Sequence, residues 1–307
     1  MRSLFLALLL ALPSQEPPKG CFVAVGYGGR RLSSADGASW ENDQSWSEKA
    51  ADDDNVLFSV AWGKGTFVAV GGGARVGRLL TTRDGKEWKE LPSQKGRVDS
   101  VAFGNGRFVA THGREFLWSE DGEAWQSGGK LDFKGSLHPR KCVFGNGIFV
   151  VIGDGDPSGA KRVSFRAMTK DGTSCDHFAA ETPAARAVAF GAGRFVVVGP
   201  DGLCESSADG KTWEAAPAEP GESLSGVVWD GRRFLASGGK TAWTSPDGVR
   251  WTRESWRIPC HILYGSPGLY LGASWNGGLW QSADGVAWKR SNITSGCTPE
   301  AVAARGP

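Results

Sequence analysis

The sequence predicts an all-β chain: a seven-bladed β-propeller of four-stranded antiparallel blades, closed by a C-terminal strand that completes the first blade. Three observations predict it: one polar turn written seven times, a β-hairpin pattern ahead of the turns, and a half-repeat at each end of the chain. Composition agrees. The 307 residues include 45 Gly and 14 Trp but only 2 Met, a balance of turns and aromatic anchors foreign to a helical protein. A hydrophobic fraction of 40% is enough for a large core and argues against disorder. The 35 basic and 33 acidic side chains nearly cancel, which argues against a nucleic-acid or anionic-membrane binder working through bulk charge.

The turn reads Ser34-x-Asp36-Gly37-x-x-Trp40, Thr82-x-Asp84-Gly85-x-x-Trp88 and Ser119-x-Asp121-Gly122-x-x-Trp125. It continues as Thr169-x-Asp171-Gly172-x-x-Cys175, Ser207-x-Asp209-Gly210-x-x-Trp213, Ser245-x-Asp247-Gly248-x-x-Trp251 and Ser282-x-Asp284-Gly285-x-x-Trp288. The first residues stand 48, 37, 50, 38, 38 and 37 positions apart, a mean of about 41, which is the length of a propeller blade. Hydroxyl and carboxylate close the turn onto nearby backbone N–H groups, and Gly takes the positive φ that a Cβ would penalise. The Trp pins the turn to the blade: burying an indole removes roughly 150 to 250 Å² from water, a gross gain on the order of 4 to 6 kcal/mol.

Ahead of the turns, two β-branched and aromatic runs flank a Gly-rich corner, as in Val60 to Gly71, Val101 to Ala110, Cys142 to Gly153, Val188 to Phe195, Val227 to Phe234 and Ile262 to Tyr270. These make strands A and B; strand C leads into the Asp-Gly turn and strand D leaves from the Trp. The first repeat starts at Cys21-Phe22-Val-Ala-Val-Gly26, a strand B with no strand A. Glu300-Ala-Val302 matches Arg186-Ala-Val188, so the missing strand lies at the other end of the chain. Closure of this kind hides both sheet edges. The long first and third intervals read as loop insertions at 41–56 and 153–162.

Seven such turns in register with the hairpins resemble the Asp-box, or BNR, repeats found in sialidases and in many non-enzymatic propellers, including the photosystem II assembly factor-like group. The resemblance runs from about residue 20 to the C-terminus, with Cys175 departing from it. It implies that Asp36, Asp84, Asp121, Asp171, Asp209, Asp247 and Asp284 are structural, and that recognition falls to the opposite face, built from B–C loops and D–A connections. Candidate binding residues there are Tyr27, Trp46, Arg75, His112, Arg114, Arg162, Trp256, Arg257 and Trp275, drawn from a wider polar set that includes Arg30, Arg78, His138, Arg140, Asp154, Asp156 and His177.

Residues 1–19 read as a signal peptide and short linker, and 20–307 as one propeller domain. Met1 to Gln15 holds one early Arg and an apolar run too short to span a bilayer, so the expectation is a protein exported in soluble form, with no stable membrane insertion. Six cysteines permit disulfides, with Cys260–Cys297 and Cys175–Cys204 as the pairs suggested by their places in successive repeats.

No metal spacing, phosphate cradle or nucleophile elbow is present in the sequence, and no cofactor or catalytic residue is expected. Asp52-Asp53-Asp54 and Asp154-Gly-Asp156 read as hydrated loops rather than calcium ligands, and Asn292-Ile-Thr294 is a glycosylation sequon. Arg257-Ile258-Pro259 spells the sialidase tripeptide, but between the sixth and seventh turns instead of before the first; Tyr27 is the one Tyr outside the hairpin aromatic slots. The leading expectation is a secreted, monomeric, non-catalytic scaffold for a protein ligand. The alternatives are a glycan-binding lectin, using Trp46, Trp256 or Trp275, and a sialidase-like exo-glycosidase.

Overall fold

The computed structural model describes residues 20–47, 52–157, 162–216, 222–238, 241–293, 296 and 298–305. Seven antiparallel sheets follow one another around a ring. Blade 1 takes its strand A, Pro299–Ala304, from the C-terminal end and continues with Phe22–Gly26, Arg31–Ser34 and Trp40–Gln44. Blade 2 runs Leu57–Gly63, Thr66–Gly72, Val76–Thr82 and Lys89–Glu90, with Gln94–Lys95 added beside strand C. Blade 3 is Ser100–Gly104, Arg107–His112, Glu115–Ser119 and Gln126–Lys130; blade 4 is Ser136–Gly145, Ile148–Asp156, Val163–Thr169 and His177–Thr182. Blade 5 is Ala187–Gly191, Arg194–Val198, Cys204–Ser207 and Glu214–Ala215; blade 6 is Leu224–Trp229, Phe234–Gly238, Ala242–Ser245 and Thr252–Arg253. Blade 7 is His261–Ser266, Leu269–Ser274, Gly278–Ser282 and Lys289–Arg290. The strands A form the inner ring. Among the described residues no helix is long and apolar enough to cross a membrane.

Each turn does two jobs. Its Ser or Thr oxygen accepts the Gly N–H, at 2.8 Å for Gly37 and 2.9 Å for Gly210, while the Asp Oδ1 accepts the next two N–H groups, as at Lys211 (2.9 Å) and Thr212 (2.8 Å). In five turns the indole then donates back to the Gly carbonyl, at 3.1 Å for Trp40 and 2.9 Å for Trp288, while Trp88 Nε1 is buried with no hydrogen-bond partner among the described residues. The second job is between blades. A Cβ on Gly210 would stand 2.9 Å from Val150, and one on Gly248 2.6 Å from Val196, in strand B of the preceding blade. With φ of +73 and +75 these positions are closed to a side chain twice over, so the turn clamps neighbouring sheets together.

The fourth turn departs where the sequence does. Only Thr173 N–H binds Asp171 Oδ1 through the backbone, and Thr173 Oγ1 adds a second bond at 2.7 Å. Cys175 leaves the place of an indole, and Trp118 of blade 3 packs into the same cluster. There Gly129 N–H reaches Gly172 O at 2.9 Å, an approach open to blade 3 because Gly128 and Gly129 carry no Cβ.

The inner ring is stitched in the same manner. In blades 2 to 5 strand A ends in aromatic-Gly, and a Cβ on Gly63, Gly104, Gly145 or Gly191 would lie 2.1 to 2.2 Å from the ring of Phe103, Phe144, Phe190 or Trp229 in the following blade. Ser59 Oγ accepts Val101 N–H at 3.2 Å and Ser100 Oγ accepts Cys142 N–H at 2.9 Å, joining adjacent strands A. Closure is complete: Pro299–Ala304 pairs with Gly26 back to Phe22, and Arg305 N–H donates to Cys21 O at 2.8 Å.

Three sequence expectations are corrected. Residues 153–156 are not a loop insertion but extend strand B of blade 4, paired with Ser136–Pro139 on one side and Val163–Phe165 on the other. Likewise 41–44 belong to strand D of blade 1, leaving a shorter loop of which 48–51 lie outside the described residues. Cys175 and Cys204 form no disulfide: their thiols sit in different core clusters, Cys175 donating to His177 O and Cys204 buried. Cys260 is a free thiol, and its expected partner Cys297 lies outside the described residues, as do residues 1–19 with the signal-peptide reading. The sequon Asn292 is engaged: its Nδ2 donates to Trp40 O and its Oδ1 accepts Trp40 N–H, both at 2.9 Å, so the amide a glycan would take ties blade 7 to blade 1.

Candidate functional site

Strand A does not enter the sheet evenly. In four blades a β-bulge sets an extra residue near its start: Glu300 in blade 1, Phe58 in blade 2, Arg140 in blade 4 and Ser225 in blade 6. Blades 3 and 5 repeat the arrangement, because Asp99 N–H bonds Thr111 O, opposite Ser100, and Arg186 N–H bonds Val198 O, opposite Ala187. A bulged residue is aimed off the ladder. In blade 7 the bulge falls later, at Leu263, and His261 takes the corresponding place. These seven side chains, one from each blade, line a cavity of about 610 Å³ at the mouth of the central channel.

Charges in the cavity are partly spent on one another. Arg97 Nε donates to Asp99 Oδ1 at 2.6 Å and its guanidinium lies 4.8 Å over the Phe58 ring. Asp99 is only 4% exposed, and burial pushes its carboxyl up to about 6 against the pull of Arg97 and of the Gly113 N–H. Arg140 holds Asp154, which also accepts from Ser164. Lys141, Glu300 and His261 share the channel: its walls depress Lys141 and raise Glu300, and His261 is lowered to about 4 by the surrounding protein and by Lys141, although its ring stays wetted. Arg186, exposed to the cavity, pairs with no carboxylate among the described residues.

Above this ring stand short 3-10 turns in the B–C connections of blades 1, 5 and 7, beginning at Tyr27, Pro200 and Trp275. Tyr27 and Pro200 line the cavity, and Trp275, 60% exposed, meets the Tyr27 ring edge-on at 5.9 Å. Burial together with Glu300 and Asp53 raises the Tyr27 hydroxyl.

Of the nine residues singled out from the sequence, Tyr27 and Trp275 are thus brought together at the channel mouth. Arg162 is exposed and absent from the channel cavity; it adds to burial and to Arg97 in holding His138 below its ordinary range. His112 and Arg114 line a neighbouring cavity. The other four stand apart. Trp46 has Arg31 4.6 Å over its ring and Arg78 at 4.8 Å, so cations occupy it. Trp256 packs into the core of blades 6 and 7, while Arg75 and Arg257 are exposed and absent from the channel cavity.

Of the ring only Arg140 stood in the wider polar set read from the sequence; the ring as such was missed, yet it has a sequence signal. Phe58, Asp99, Arg140, Arg186 and Ser225 each stand four residues before the strand A aromatic, Glu300 four before Ala304, and His261 three before Tyr264. A wider cleft of about 1010 Å³ lies on the opposite face between the turns of blades 2 and 3. Its Thr82 and Asp84 already close a turn and Lys89 is paired with Glu123, so these four groups are spent on the fold.

No known family profile matches the sequence, and no curated protein matches it. The fold is similar to solved propellers. The structure of YCF48 bound to D1 peptide superposes with a TM-score of 0.57 at 22% identity, over 77% of this chain and 82% of that one. A nidogen/laminin complex gives 0.51 at 10% identity, over 78% and 93%. Virginiamycin B lyase from Staphylococcus aureus gives 0.58 at 10% identity, over 76% and 83%. At these identities the likeness is one of fold.

Proposed function

We propose that the chain is an exported, non-catalytic binding scaffold that holds a segment of a protein partner at its channel mouth. The observation that carries this reading is the ring of seven strand A residues, one per blade, in which Arg186 pairs with no carboxylate among the described residues, at a channel mouth where Tyr27 meets the exposed Trp275. Arg, Tyr and Trp are the side chains most enriched at protein recognition hot spots. Similar propellers are seen with a D1 peptide and in a nidogen/laminin complex, which agrees with a protein ligand.

A glycan reading rests on Trp275 alone among the three Trp considered for it, since Trp46 and Trp256 are packed. A glycosidase of sialidase type needs, besides a Tyr nucleophile, the Arg of the Arg-Ile-Pro tripeptide on the substrate carboxylate, and Arg257 is absent from the cavity that Tyr27 lines. The test is site-specific photocrosslinking in the native exported milieu, with the probe at Ser225 in the ring or at Lys211 on the turn face. The reading expects a protein adduct from Ser225 and none from Lys211; adducts from Lys211 alone, or sialoside hydrolysis without any adduct, would overturn it.

A further inference from the structure

Arg97 separates the channel mouth from a second cavity of about 620 Å³ on the rim of blade 3, and lines both. Its walls are the blade 2 to 3 connection at Lys95, the B–C turn at His112 and Arg114, and the exit from strand D at Leu131 and Phe133. They are fixed. His112 Nδ1 lies 3.1 Å from Glu115 Oε1 and its Nε2 2.9 Å from Lys95 O, so both ring nitrogens are engaged. Arg114 O accepts Leu131 N–H at 2.8 Å, and Arg114 Nη1 donates to Phe133 O at 3.0 Å. Phe133 is braced edge-on by Phe178 at 6.1 Å.

The charges are uneven. Within the lining, Arg97 is spent on Asp99 and Glu115 on His112. Lys95, Arg114 and Lys130 are exposed and make no ion pair among the described residues, and Asp132 is the remaining carboxylate. Three unspent cations against one carboxylate, around a preformed pocket with an aromatic side wall, select for negative charge carried on an apolar body. Arg114 uses one N–H on Phe133 O, which leaves the rest of its fork for an oxyanion.

We propose that this cavity is a binding site for a small organic anion, an aryl or alkyl carboxylate, sulfate or phosphate. Its head sits on Arg114 with Lys95 and Lys130, and its body lies against Phe133. The site stands independently of the partner proposed for the channel mouth.

Calorimetric titration of the whole chain with phenyl phosphate, benzoate, benzamide and inorganic phosphate tests it. Phenyl phosphate and benzoate bind saturably, benzamide and inorganic phosphate at least about tenfold more weakly, and Arg114→Ala loses about tenfold while Lys211→Ala loses nothing. Lys130→Ala, whose side chain makes no hydrogen bond or ion pair among the described residues, gives the same direction if Arg114→Ala lowers the melting temperature. Absence of aryl-anion binding, equal binding of benzamide, binding of inorganic phosphate as tight as phenyl phosphate, or both variants unchanged would each overturn the site.

Discussion

The carboxylates of the repeated turns accept backbone N–H groups, and those bonds favour the ionised form. Asp209 is held down to about 2 by the Thr212 and Lys211 N–H groups, and Asp36, Asp84, Asp121 and Asp171 shift the same way. A carboxyl with a depressed native pKa stabilises the fold above its unfolded value near 4, and that stability is lost as pH falls through the native value. These carboxyls by themselves should hold melting temperature level above about pH 5 and make it fall between about pH 4 and 2. Asp209→Ala should cost about 1 kcal/mol at pH 7, the scale of an exposed charge-assisted turn, and should flatten the acid limb slightly. A variant as stable as the parent at pH 7 would show the turn to be decoration. Buried Asp99 has the opposite sign: its contribution is lost as pH rises from about 4 through about 6, which adds a decline over that window and places the level region above about pH 6. These turns were fully legible in the sequence, because their chemistry is local: hydroxyl, carboxylate and glycine lie within four residues of one another.

Strands and their partners were legible where a repeat could be aligned. The pairing of Pro299–Ala304 with Phe22–Gly26 follows from matching Glu300-Ala-Val302 to Arg186-Ala-Val188, and the structure has it. Ala301 and Ala303 of this strand join the core with Val23, Val25 and Leu57, so it carries packing as well as hydrogen bonds. Deleting residues 298–307 should abolish soluble expression, and a soluble truncated protein melting with the parent would contradict that role. Where elements fell outside the repeat, the sequence misled. Residues 153–156 read as an insertion because the third interval between turns is long, yet Gly153 and Gly155 are what let a lengthened strand pass: Cβ atoms there would meet Phe165, Leu137 and Phe133. The bulges escaped notice for another reason. A bulge is a matter of register between two strands, and a residue aimed inward by it looks in sequence like any polar residue at a strand's entry.

At the scale of the whole ring, the two faces divide the labour. On one, the repeated turns and A–B corners lock blade to blade, with Asn105 Nδ2 reaching Gly147 O at 2.9 Å and Asn146 Nδ2 reaching Gly193 O at 2.8 Å. On the other, seven blades each deliver a different side chain to one cavity, so the same scaffold can carry many recognition surfaces. Which loop residues converge there is a long-range fact: Tyr27 and Trp275 meet only because the chain's end closes beside its start. Trp46, exposed by expectation, was claimed instead by two arginines from strands C of blades 1 and 2. The decisive measurement is the affinity of the crosslinked partner for Arg186→Glu and Trp275→Ala, set against Arg250→Glu on the turn face, all at parental melting temperature. Losses of at least about tenfold in the first two and none in the third are expected; full affinity in the first two, or loss confined to the third, would contradict recognition at the channel mouth.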